Sequence, residues 1–126
     1  MLKKYLHTRF RVHDMGRSIN FYNGILGMEI IERKISPRGS QLVFLRFPDT
    51  ECDLELCSFP NSGNVKVPED LVHLAFQVEN LEQCMDKLKK AKIPITEGPV
   101  ETERGTRFIF TKPDKYEIEL MQCLDE

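Results

Sequence analysis

The sequence predicts an α+β fold made of two copies of one unit, each consisting of a strand, a helix and three further strands. Alternating apolar and polar residues indicate strands at 5–12 and 71–78, and each is followed by residues with helical spacing. The two first strands align with each other when the halves of the chain are overlaid, so that His7 matches His73, 66 residues later. This internal repeat predicts that the halves share one architecture.

Length and composition favour one soluble domain covering residues 1–126, built from a module at 1–62 and a module at 66–126. The 126 residues are 40% hydrophobic and 30% charged, with a net charge of −2. This balance offers no basic surface for nucleic acid, and no apolar run is long enough to span a membrane. We therefore expect a cytoplasmic protein, in which four cysteines without metal-binding spacing stay reduced.

In the first half, the predicted strand at 5–12 has apolar residues on one face and His7, Arg9 and Arg11 on the other. Asp14 occupies an N-cap position, and Gly27 suits the left-handed position beyond the end of a helix. The apolar stripe expected on this helix consists of Met15, Ile19, Tyr22, Ile25 and Leu26. Three strands separated by turn residues follow, at 28–35, 41–47 and 52–58.

A linker rich in proline, asparagine and glycine is predicted between residues 59 and 70, after which the pattern restarts. The strand at 71–78 leads to Asn80 and Gln83, which resemble a capping box at the start of a helix. The apolar stripe of this helix is expected to contain Leu81, Cys84, Met85, Leu88 and Ala91. The remaining predicted strands are 93–97, 106–111 and 116–122.

Each half carries one histidine on its first strand and one glutamate on its last: His7 and Glu55, then His73 and Glu119. All four lie on the face opposite the apolar residues, so they can converge on one surface of a curved mixed sheet if the helices cover the other. A single histidine or glutamate of this kind is usually structural, but the repeated placement favours a metal cleft. Two imidazoles and two carboxylates suit a divalent ion and leave coordination positions for water or substrate oxygens. His13 has no counterpart in the second half and is expected to be exposed rather than a ligand.

Several segments together resemble glyoxalase I (lactoylglutathione lyase), a family of the vicinal oxygen chelate superfamily. The most specific combination is Leu26-Gly27-Met28 after the first helix with a final Pro-Asp-x-Tyr-x-Ile-Glu-Leu at 113–120. The resemblance spans nearly the whole chain and includes residues 7–12, 17–22, 54–56 and 73–76. It implies a glyoxalase/bleomycin-resistance-like fold of two βαβββ modules, with His7, Glu55, His73 and Glu119 as the metal ligands.

The resemblance also implies an activity, namely isomerisation of the methylglyoxal–glutathione hemithioacetal to S-lactoylglutathione through an enediolate. Glu119 would be the base, and Glu55 would stay bound to the metal or exchange protons on the other face. Arg11 matches the family arginine that binds a glutathione carboxylate, a task suited to a guanidinium, and Arg9 lies on the same face. For both arginines a salt bridge is the alternative. The resemblance favours nickel or cobalt, with zinc as the alternative, and a homodimer whose modules pair within or between chains.

Two positions depart from the glutathione-binding pattern. Phe59 stands where the family commonly has an asparagine, and Glu69 stands where the human-type enzyme has an arginine. Asn61 or Arg104 would have to replace those contacts if glutathione is the thiol. Two alternatives therefore stay open: a related metal-dependent enzyme acting on another thiol adduct or an acyl-CoA, and a metal-free dimer that sequesters a ligand.

Overall fold

The computed structural model describes residues 1–61 and 63–123. Ser62, in the predicted linker, and Leu124 to Glu126, at the end of the predicted second module, lie outside the described residues. The chain divides into two compact units, Met1–Val65 and Lys66–Glu126. Across the described part of the chain, no helix has the length and apolar character needed to cross a membrane.

Unit 1 is a four-stranded mixed sheet with one helical segment, as the α+β prediction requires. Its sheet has the order β1-β4-β3-β2, in which β1 and β4 are parallel and the other neighbours are antiparallel. The core side of the central strands is fully buried at Leu45, Leu54 and Leu56. The elements are β1 (His7–Arg11), α1 (Met15–Ile19), a π-helical segment (Asn20–Ile25), β2 (Glu29–Ile35), β3 (Gln41–Arg46) and β4 (Asp53–Ser58).

The first helix begins and ends near the predicted residues, and its predicted apolar stripe is confirmed in part. The Asp14 side chain accepts a hydrogen bond from the Arg17 amide, and Gly27 has a φ of 77° just after the helix. Between them the backbone widens, and the Leu26 amide donates to the Phe21 carbonyl five residues earlier. Ser18, Phe21 and Tyr22 are buried, and the other members of the predicted stripe are half-buried, namely Met15, Ile19, Ile25 and Leu26.

Unit 2 repeats this arrangement with its own four-stranded sheet. The strand order is β5-β8-β7-β6, and again the first and last strands of the unit pair in parallel. Ile109, Ile118 and Leu120 are fully buried in it. Its elements are β5 (His73–Gln77), α2 (Leu81–Lys90), β6 (Ile95–Glu101), β7 (Arg107–Thr111) and β8 (Glu117–Gln122).

Helix α2 follows the sequence prediction closely. The Asn80 side chain accepts a hydrogen bond from the Gln83 amide at 3.0 Å, which satisfies one of the free amides of the first turn. Leu81, Met85 and Leu88 of the predicted stripe are buried. Cys84 and Ala91 are only partly buried, and burial raises the pKa of the Cys84 thiol.

The predicted strand at 93–97 is wrong in its bounds. Strand β6 starts at Ile95 and continues through Gly98 and Pro99 to Glu101. A proline normally argues against a central strand because it lacks an amide donor, but β6 is the edge strand of its sheet. Register shifts between Ile95 and Val100 accommodate this irregular stretch.

Replacing Asn80 with alanine should lower the free energy of unfolding by about 1 kcal/mol, because the first turn of α2 loses its cap. Urea unfolding followed by circular dichroism measures this change. Asp86→Ala is the matched control, since Asp86 is an exposed residue inside the same helix. An equal loss of stability in both variants would contradict the capping role.

Candidate metal and substrate site

In unit 1 the parallel pairing of β1 and β4 brings a histidine next to a glutamate. His7 opens β1, and Glu55 lies in the middle of β4, opposite Arg9 in the strand register. The Nε2 atom of His7 lies 3.9 Å from Oε2 of Glu55. The imidazole is 42% exposed while the carboxylate is only 4% exposed. A nearly buried carboxylate therefore lies beside a histidine that solvent can reach.

A buried carboxylate needs a charged or hydrogen-bonding partner, and Glu55 has one in Arg9. The Nε–H of Arg9 donates to Oε1 of Glu55. This hydrogen bond to Glu55 is the main reason that the pKa of the Arg9 guanidinium lies above its usual value. Glu55 therefore directs one oxygen to Arg9 and the other toward His7.

Unit 2 contains the equivalent pair. His73 opens β5, Glu119 lies in the middle of β8, and the distance from His73 Nε2 to Glu119 Oε1 is 3.4 Å. The His73 side chain is 46% exposed and that of Glu119 is 16% exposed. Opposite Glu119 in the register stands Ala75, so the residue that matches Arg9 has no polar side chain.

Each glutamate also has a phenylalanine beside it on its antiparallel neighbour. Phe44 is opposite Glu55, and Phe110 is opposite Glu119. Both rings meet the local imidazole edge to face, at centroid distances of 5.9 Å for His7 and 5.4 Å for His73. Sequence reasoning missed these residues, although the same repeat that relates the histidines also relates Phe44 to Phe110.

Of the other residues considered in the sequence analysis, the two arginines of β1 form hydrogen bonds or ion pairs and His13 is exposed. Arg11 is half-buried on β1, and its Nη1 donates to the Gly63 carbonyl at 3.3 Å. Arg9, predicted as a substrate contact with a salt bridge as the alternative, forms the salt bridge with Glu55. Asp53, which lies on β4, pairs with Arg46 at 2.8 Å. His13 is exposed, as expected.

Each pair combines one imidazole nitrogen and one carboxylate oxygen, which are kinds of donor that a divalent metal accepts. Ligand bonds of about 2.1 Å at right angles place two donor atoms about 3 Å apart, and the observed separations are 3.4 and 3.9 Å. Among residues 1–61 and 63–123, no group of three or more histidine, cysteine, aspartate or glutamate side chains is placed to hold a metal. Each unit therefore offers two donors, which is half of the predicted ligand set.

Comparison with known proteins decides the family. The profile of the Glyoxalase/Bleomycin resistance protein/Dioxygenase superfamily matches residues 4–120. The chain belongs to this superfamily. The predicted resemblance to glyoxalase I and the predicted fold class are thereby confirmed.

Relatives within the superfamily identify a lyase-like enzyme. The chain is 30% identical to the lactoylglutathione lyase of Escherichia coli O157:H7, with 97% of this chain and 94% of the relative covered. It is also 30% identical to a probable lactoylglutathione lyase of Synechocystis sp., with 93% of each covered. The solved structure of Leishmania major glyoxalase I, described as trypanothione-dependent, matches with 31% identity and a TM-score of 0.74, covering 96% of this chain and 87% of that one.

Proposed function

We propose that this enzyme isomerises the hemithioacetal of methylglyoxal and a glutathione-type thiol to the S-lactoyl thioester, and so detoxifies methylglyoxal. The observation that carries the proposal is the duplicated histidine–glutamate pair, placed on equivalent strands in both units. Relatives named lactoylglutathione lyase over nearly the full length of the chain support the same activity. We further propose that the enzyme acts in the cytoplasm as a homodimer.

The proposed ligands of one divalent metal per site are His7, Glu55, His73 and Glu119. Nickel or cobalt is favoured and zinc is the alternative, since all of them accept nitrogen and oxygen donors. A bound metal would supply Lewis-acid polarisation of two neighbouring substrate oxygens. Four ligands require the histidine–glutamate pair of unit 1 together with that of unit 2. The two pairs would come from one chain or from two copies of it.

In this proposal Glu119 moves the proton. It takes a proton from the carbon next to the substrate carbonyl and returns it to the neighbouring carbon, as a general base and then a general acid. Its carboxylate is partly exposed, 16%, so a substrate can reach it. Glu55 is nearly buried beside Arg9 and is proposed to act chiefly as a ligand.

Substrate binding is proposed to involve Arg11, whose guanidinium suits a carboxylate of the thiol. The thiol need not be glutathione, because Phe59 and Glu69 occupy positions where the family has glutathione-binding residues. Phe59 is partly buried and Glu69 is exposed. The similarity to an enzyme described as trypanothione-dependent makes another thiol a specific second candidate. Assays with several thiols distinguish them.

The metal proposal predicts that His73→Ala weakens binding of Ni²⁺ to the metal-free protein by more than about tenfold, because loss of an outer-shell partner alone costs about that much. Isothermal titration calorimetry measures the affinity and stoichiometry. His13→Ala is the control, since His13 is exposed and outside both pairs. Equal binding by both variants would overturn the ligand assignment.

The activity proposal predicts a rise in thioester absorbance when metal-loaded protein is mixed with methylglyoxal and glutathione. Glu119→Gln should lower kcat by about a hundredfold or more, since an amide cannot accept the proton. Glu103→Gln should retain activity, because Glu103 is exposed, lies outside the strands and belongs to no proposed ligand set. A fully metal-loaded protein that forms no thioester with any thiol tested would refute the proposed activity.

A further inference from the structure

The two histidine–glutamate pairs are equivalent except at one position. In both, a phenylalanine stands on one side of the glutamate and a residue of the first strand stands on the other. In unit 1 that second neighbour of the glutamate is Arg9, and in unit 2 it is Ala75. The repeat therefore places a cation beside Glu55 and a methyl group beside Glu119.

This difference changes what each carboxylate is able to do. The Arg9 guanidinium donates to Oε1 of Glu55, and a charge-assisted bond of this kind is among the stronger hydrogen bonds in proteins. It fixes the carboxylate and leaves Oε2, the oxygen nearer His7, for another ligand. The side chain of Ala75 offers Glu119 no hydrogen bond, so Glu119 is less constrained from that side.

We propose that Arg9 is a positioning residue that gives the two glutamates different roles. It holds Glu55 as a fixed ligand that binds through Oε2, and it leaves Glu119 as the glutamate that accepts and returns the proton. The part of this inference that concerns catalysis by Glu119 rests on the proposed function. The effect of Arg9 on metal binding is independent of which substrate is used.

A second ion pair on β4 provides a control that distinguishes positioning of a metal ligand from general stabilisation of the fold. Arg46 binds Asp53 at 2.8 Å, and Asp53 lies on β4 two residues before Glu55. Both arginines thus pair with a carboxylate of the same strand, but only Arg9 pairs with a proposed ligand. Arg46→Ala is therefore the matched control for Arg9→Ala.

The first test titrates metal-free protein with Ni²⁺ by calorimetry. Arg9→Ala should weaken binding by about tenfold, because Glu55 loses the outer-shell hydrogen bond that holds its carboxylate in place. Arg46→Ala should change the affinity less than twofold, and adding Arg9→Ala to Glu55→Gln should cause little further loss of affinity. Unchanged or tighter binding by Arg9→Ala would overturn the proposal, and thermal unfolding of the metal-free variants shows whether each is folded.

The second test measures kcat and KM for the two glutamine variants with and without Arg9. With Arg9 present, Glu119→Gln should lower kcat much more than Glu55→Gln, and Arg9→Ala should bring the two losses closer together. Ala75→Arg should lower kcat about tenfold with little change in KM, since it places a cation beside Glu119. Equal losses with Arg9 present would overturn the division of roles. Absence of all activity would refute the proposed function, while the calorimetric result still decides the effect of Arg9.

Discussion

Parallel pairing between the first and last strands of each unit is the constraint on which the candidate site depends. It aligns β1 with β4 and β5 with β8, and places each histidine within 4 Å of a glutamate that is 48 or 46 residues away in sequence. Neighbouring strands fix which side chains share a face, so a slip of one residue would turn the carboxylate toward the core. The buried leucine and isoleucine residues on either side of each glutamate oppose such a slip.

Much of the architecture was predictable because strands, helix caps and the repeat are local or periodic signals. The repeat matched Glu55 with Glu119 and predicted the faces on which they lie. The π-helical turn was missed because the spacing of apolar residues does not distinguish it from an α-helix, and the extent of β6 was missed because an edge strand tolerates Pro99.

Cross-strand neighbours were the part of the site that the sequence did not predict. The bond between Arg9 and Glu55, and the places of Phe44 and Phe110 beside the glutamates, depend on the register between strands that are distant in sequence. Spacing within a strand shows which face a residue occupies but not which residue lies opposite. The metal ligands, the substrate contacts and the meeting of the two pairs remain predictions.

The edge-to-face contacts of the phenylalanines have a consequence for how a ligand set is assembled. Phe44 and Phe110 each contact one face or edge of His7 and His73, whose imidazoles are otherwise more than 40% exposed. A side chain that is already ordered loses less conformational entropy when it coordinates an ion. We therefore expect these contacts to lower the entropy that each imidazole would lose on binding a cation.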